Sequence, residues 1–133
     1  MSEHVVKLQF HQIWLFIGWC MVAFVIYYSL ETGGAPGFNL FFNDKLIHML
    51  SYFGLMSWFL QLYKKRMSRW LIAIGLVCLG IALEFLQGIG GVRMFEVADM
   101  MANATGVVLG WLFALLGLDK VLSWFEARYL VES

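Results

Sequence analysis

Apolar residues fall in four long blocks that short polar segments separate. Each block is about 16–20 residues long, close to the length with which a helix crosses a bilayer. Backbone groups in lipid must bond within the protein, and the blocks lack the alternating pattern of barrel strands, so helices are favoured. The sequence therefore predicts one all-α domain over residues 1–133, a polytopic membrane protein with four transmembrane helices at about 13–30, 44–63, 70–87 and 97–118.

The chain's last segment, residues 119–133, has an amphipathic pattern. Its apolar residues share one side of a helix with Leu118, and its charged residues lie largely opposite. The apolar set is Val121, Leu122, Phe125 and Tyr129, and the charged set is Asp119, Lys120, Glu126 and Arg128. This pattern predicts an amphipathic tail helix that lies flat on the membrane surface.

The segment between the second and third blocks, KKRMSR at 64–69, has four basic residues and no acid. The positive-inside rule places it in the cytoplasm, and four spans then place both termini there. The two loops beside Asp44 and Arg93 would face outward. The first block is long, rich in tryptophan and lacks a small-residue cleavage site, so we expect it to be retained as a span.

Composition supports a membrane protein, since 62% of the residues are hydrophobic and 14% charged. An ordinary globular domain has about half apolar and about a quarter charged residues. The formal net charge is zero, which gives no indication of nucleic acid or of a polybasic lipid patch. Cys20 and Cys78 lie inside apolar blocks, where small core residues are expected rather than a disulfide or a metal pair.

Polar residues that interrupt the apolar blocks come in pairs three or four residues apart, so each pair faces one direction. Blocks two and four begin on the side where block three ends, which places the pairs at similar depth. We therefore predict one outward-facing polar site, either catalytic or binding, formed by Asp44, His48, Glu84, Gln87, Arg93, Asp99 and Asn103. Neighbouring polar residues that could add to it are Lys45, Ser51 and Tyr52.

Two roles stay open for each of these residues. Glu84 could contact a ligand or act as a general acid or base, or it could lock helices together through Arg93 or Asn103. Asp44 and Asp99 could simply cap their helices. Asp44 could also orient His48 and fix its tautomer. Arg93 could neutralise nearby acids or clamp a phosphate or carboxylate.

No cofactor is predicted. A metal bound by His48 and the carboxylates would be the alternative, but there is no second strong histidine, no HExxH and no CxxC spacing. Ser51 lies one helical turn from His48, which is thin support for a nucleophile.

Small residues recur every fourth position in the last block, at Ala102, Gly106, Gly110 and Ala114. Such a stripe allows helices to approach closely. It predicts tight packing and offers a surface for a membrane-protein partner or a homo-oligomer.

The ordered set of polar motifs resembles the VanZ-like family of membrane proteins. The matching stretches are DKLIHMLSYFGL at 44–55, ALEFLQ at 82–87, Arg93, and ADMMANATGVVLG at 98–110. The resemblance implies a multi-pass protein of the bacterial plasma membrane. It also implies a relation to an accessory factor that lowers susceptibility to the glycopeptide antibiotic teicoplanin.

The predicted function is recognition or modification of a lipid-linked envelope molecule, such as a cell-wall precursor or a phospholipid head group. Helix N-termini attract anions, whereas the acids suit hydrogen-bonding groups. A ligand that carries both a phosphate and hydrogen-bonding sugar or peptide groups therefore fits best. One alternative is a non-catalytic structural or assembly partner of other membrane proteins. Another is a small transporter, which the absence of charge in helix 1 disfavours. Whether any bond is made or broken stays open.

Overall fold

A computed structural model describes residues 8–31, 44–90 and 97–130, with the side chains of Glu31 and Asp44 left out. Within these ranges the chain is helical and contains no strand, which confirms the all-α fold. The long helices are α1 (His11–Glu31), α2 (Asp44–Leu62), α3 (Arg66–Ile89) and α4 (Val97–Leu115). A short 3₁₀ turn (Leu118–Lys120), α5 (Val121–Phe125) and a π turn (Glu126–Leu130) follow.

Three helices of the described chain are long and apolar enough to cross a membrane, namely His11–Leu30, Arg66–Ile89 and Val97–Leu115. Helix α2 is less apolar because it carries polar residues such as Lys45, His48 and Gln61. It lies at the centre of the bundle, where its core residues are buried by the other helices. A helix that is surrounded by protein can cross a membrane without an apolar outer surface. The predicted crossing of α2 is therefore compatible with its polar residues and stays a prediction.

Helix α3 begins one turn earlier than predicted, so most of the expected loop at 64–69 is helical. Basic residues in a first turn oppose the helix dipole, so this start needs other stabilising contacts. Arg69 is buried, and its guanidinium lies 2.6 Å from the Asp119 carboxylate. Its Nε also donates to the carbonyl oxygen of Tyr63 at 3.0 Å. These tertiary contacts stabilise the early start.

Helix α4 ends at Leu115 rather than at the predicted residue 118. Gly117 adopts a left-handed conformation with φ of 94°, which a residue without a Cβ adopts at little cost. Its amide donates to the carbonyl of Ala114 at 3.0 Å. This is a common way for a helix to end, and it changes the chain direction before the 3₁₀ turn at Leu118–Lys120.

The predicted close helix–helix approach is confirmed, and the partner is α2 of the same chain. A Cβ added at Gly106 would collide with the backbone carbonyl oxygen of Met49. One added at Gly110 would lie 2.7 Å from the Met56 Cβ. A homo-oligomer through this stripe remains a prediction.

The tail packs against the bundle with two of its charged residues facing inward. Glu126 is 3% exposed and accepts hydrogen bonds from the Gln9 and Phe10 amides at 2.5 and 2.8 Å and from Trp14 Nε1 at 2.6 Å. Asp119 pairs with Arg69. The expectation that these two acids lie opposite the packed side is wrong, because the backbone amides just before α1 need an acceptor and Glu126 supplies it.

Both cysteines, Cys20 and Cys78, are free and lie on the outer surface of the bundle. The expectation that they are small core residues is wrong. In a membrane-spanning bundle the outer surface is covered by lipid, so an apolar sequence context does not separate core positions from lipid-facing ones.

Candidate functional site

The first turns of α2 and α4 and the last turns of α3 meet at one end of the bundle, because these helices are antiparallel neighbours. Polar side chains from all three helices gather there. We call this group the polar site, and its members are Lys45 and His48 of α2, Glu84 of α3, and Asp99 and Asn103 of α4.

Asp99 is the centre of the polar site. Its side chain is fully buried, and Lys45 Nζ lies 2.6 Å from its Oδ1. His48 Nε2 lies 3.8 Å from the other carboxylate oxygen. The carboxylate also sits in the first turn of α4, where the helix dipole favours a negative charge. Because the Lys45 side chain is 33% exposed, this ion pair links the buried carboxylate to the surface.

His48 is held from both sides of its ring. Nδ1 lies 3.1 Å from the side-chain oxygen of Asn103, and Nε2 faces Asp99. Both ring nitrogens thus face side-chain oxygens of α4. The Asn103 amide nitrogen packs on α3, since a Cβ added at Gly80 would lie 2.7 Å from it. The His48–Asn103 contact therefore depends on how closely α3 approaches α4.

Glu84 brings a second buried carboxylate to the same end. Its side chain is 1% exposed, and Tyr52 is also buried, on α2. The sequence places a carboxylate here inside an apolar helix, and the structure keeps it inside the protein rather than toward lipid. Such buried charges require polar neighbours.

Two other predicted residues are engaged elsewhere. Gln87 is buried and faces α1, where its Nε2 donates to the carbonyl oxygen of Ser29 at 2.6 Å. Its Oε1 is buried without a hydrogen-bond partner among the described residues. The Ser51 hydroxyl donates to the Ile47 carbonyl in its own helix at 2.8 Å, which gives no support to a nucleophile.

Arg93 lies outside the described residues, as does the side chain of Asp44. The predicted Asp44–His48 pair and the Arg93 clamp therefore stay predictions. In the described ranges, the carboxylate that faces His48 is Asp99, from a different helix. No group of three or more histidine, cysteine, aspartate or glutamate residues in these ranges could hold a metal ion.

A second polar network lies at the opposite end of the bundle, and the sequence did not predict it. It joins Arg69 and Lys64 to Asp119 and joins Gln61 to the turn after α4. Gln61 Nε2 donates to the Leu118 carbonyl at 2.7 Å, and its Oε1 accepts from the Leu122 amide at 2.9 Å. The signal in the sequence is an acid directly after α4, Asp119, at the end where the basic residues cluster.

Comparison with known proteins identifies similar sequences but no similar solved structure. The family model described as VanZ/LLP1 matches residues 2–118. This match extends well beyond residues 40–110, which carry the motifs of the resemblance. A protein of Schizosaccharomyces pombe, named only as uncharacterized, is 31% identical over 91 residues. The alignment covers 66% of this chain and 56% of the yeast protein, so the chain spans little more than half of that relative's length. No solved structure matches.

Proposed function

The chain belongs to the VanZ/LLP1 family, and on that premise we propose that its polar site recognises or modifies the head group of a lipid-linked envelope molecule. The resemblance adds an expected context, teicoplanin susceptibility, and an expected location. That location is the bacterial plasma membrane, with both termini in the cytoplasm.

One observation carries this proposal. The fully buried carboxylate of Asp99 is paired with Lys45, which is partly exposed, at the end of a bundle whose other helices are apolar enough for lipid. Ionisable groups at such depth are costly and usually mark a binding or transport path. Because Lys45 reaches the surface, a ligand can approach it without the bundle opening.

The charge pattern indicates the class of ligand. Lys45 and the N-termini of α2 and α4 favour a phosphate. The carboxylates of Asp99 and Glu84 and the amide of Asn103 favour hydroxyl, amide or amine groups. A phosphate beside such groups occurs in phospholipid head groups and in lipid-linked wall precursors. The similarity to a yeast protein favours a phospholipid, since phospholipid head groups occur in both bacterial and yeast membranes.

Recognition requires only these contacts. A reaction would need a proton acceptor or donor beside the ligand, and His48 between Asp99 and Asn103 is the residue best placed for that role. The proposal therefore assigns ligand contact to Lys45 and acid–base work, where any occurs, to His48.

The test compares Asp99→Asn and Glu84→Gln with Thr105→Ala, a control on the exposed side of α4. Teicoplanin susceptibility of expressing cells and native mass spectrometry of the purified protein are measured together. We expect both site variants to lose the phenotype and the bound phosphate-bearing molecule, with unchanged melting temperature and expression. A phenotype and bound ligand that survive in both folded variants would contradict the proposal.

A second candidate is a non-catalytic structural role. The contacts between Lys45 and Asp99 and between His48 and Asn103 cross the tightly packed α2–α4 interface, so they could lock these helices for a partner protein. In that case Asp99→Asn would lower the melting temperature by several degrees, because removing one member of a buried pair leaves the other uncompensated. The melting measurement thus separates the two candidates.

A further inference from the structure

A groove between α3 and α4 opens to the side of the bundle, away from the polar site. Its volume is about 510 Å³, and every lining side chain is apolar. It extends from Trp70 and Trp111 near the second polar network to Cys78 and Ala104 near mid-bundle. A long apolar groove of this kind on a membrane-spanning bundle is suited to a hydrocarbon chain.

The length of the groove matches one leaflet. From Trp70 to Cys78 it covers about 12 Å of α3, and from Ala104 to Leu115 about 16 Å of α4, at the helical rise of about 1.5 Å per residue. Half of a bilayer's hydrocarbon core is about 15 Å. The groove therefore matches an acyl chain of one leaflet in length.

A second cavity, of about 530 Å³, continues the groove at its tryptophan end. The two share Trp70, Trp111 and Leu115. The second cavity is also lined by the basic residues Lys64, Arg66 and Arg69. The two tryptophan rings contact edge to face, with centroids 4.9 Å apart. Tryptophan is enriched where hydrocarbon meets the head-group layer.

The charge at this end is locally unbalanced. Asp119 is paired with Arg69 at 2.6 Å and with Lys64 at 3.6 Å. Arg66 is exposed and has no acidic partner among the described residues. Three cations around one carboxylate leave a net positive end, which the zero net charge of the whole chain conceals.

We propose that this groove binds an anionic phospholipid, with one acyl chain between α3 and α4 and the phosphate against Arg66. Basic pockets between membrane helices hold such head groups by charge. The site lies at the opposite end of the bundle from the polar site and does not depend on the function proposed for it.

The test offers the purified protein equal amounts of phosphatidylglycerol and phosphatidylcholine in mixed micelles. Native mass spectrometry then measures which lipid stays bound. We expect wild-type protein to retain phosphatidylglycerol preferentially, and Arg66→Gln to lower that retention about fivefold, the effect of one basic residue at an anionic surface. Val108→Trp, which fills the groove from α4, should reduce retention as strongly.

Each variant has a matched control on the neighbouring residue. Lys65→Gln removes an adjacent exposed charge that lines neither cavity, and Leu109→Trp places the same side chain outside the groove. Both controls should retain phosphatidylglycerol as wild type does. Equal retention of the two lipids by wild type, no lipid retained, or failure of either variant to differ from its control would overturn the proposal.

Discussion

At the scale of single residues, this chain stabilises its buried carboxylates in two different ways. Asp99 is held by the side chains of Lys45 and His48, whereas Glu126 is held by two backbone amides and the Trp14 indole. Side-chain partners can be displaced by a ligand, whereas the backbone amides beside a helix start belong to the fold itself. This difference favours Asp99 as part of a functional site and Glu126 as a structural residue.

Glu126 gives a prediction for pH. Burial alone would raise the pKa of its carboxyl, but the hydrogen bonds from Trp14, Phe10 and Gln9 outweigh it and hold the pKa below its ordinary value of 4.5. A carboxyl whose pKa is lower in the folded state contributes stability above its unfolded value and loses it as pH falls through the folded one. We expect the melting temperature of wild type to fall more steeply below about pH 4.5 than that of Glu126→Gln.

The comparison uses thermal unfolding in detergent at a series of pH values. Near neutral pH, Glu126→Gln should lower the free energy of unfolding by about 1–3 kcal/mol, since it weakens bonds from buried donors. Arg128→Gln, which changes an exposed charge in the same tail, should behave as wild type does. Parallel pH curves for wild type and Glu126→Gln would show that this carboxyl does not couple the tail to pH.

At the scale of elements, the contact between α2 and α4 determines the geometry of the polar site. Gly106 lets the α4 backbone touch the α2 backbone at Met49, one residue from His48. The same close approach brings Lys45 to Asp99 and His48 to Asn103. Gly106 thus helps to position Asp99 and Asn103, which lie within two helical turns of it on α4.

Gly106→Ala tests this packing, with Gly75→Ala as the matched control. A Cβ at Gly106 collides with backbone, which cannot move as a flexible side chain does, so we expect a loss of about 1–3 kcal/mol or more in unfolding free energy. Nothing lies within 4 Å of a Cβ at Gly75. Alanine there should be neutral or stabilise the helix by about 0.5–1 kcal/mol.

Chemical unfolding of both variants in mixed micelles provides the measurement. If Gly106→Ala and Gly75→Ala unfold at the same denaturant concentration, the α2–α4 contact is looser than described and does not fix the polar site.

At the scale of the whole molecule, the sequence predicted what depends on periodicity and chain order. Residues spaced by four, such as Asp99 and Asn103, share a face, and antiparallel order brings them to one end. Contacts set by distant partners could not be predicted. The acceptor role of Glu126 requires amides more than a hundred residues earlier, and amphipathic patterning assigns such a charge to solvent. Arg69 was placed in a loop because its partner, Asp119, lies beyond α4.

The orientation and the crossing of α2 remain to be tested by a single labelling experiment. In a background with Cys20→Ala and Cys78→Ala, single cysteines replace Gly34, Lys65 or Gly91, and intact cells are treated with a membrane-impermeant maleimide. The excess of basic residues at 64–69 predicts that this end lies in the cytoplasm. We therefore expect Gly34→Cys and Gly91→Cys to react in intact cells and Lys65→Cys to react only after permeabilisation.

The contrary results are equally informative, because residues 34 and 65 flank α2. Reaction of both from the same side would show that α2 does not cross, and the bundle would then have three spans. Complete reversal would keep four spans but invert them. The polar site would then face the cytoplasm, where it could not meet an envelope molecule of the outer leaflet. The lipid groove beside Arg66 would open into the outer leaflet.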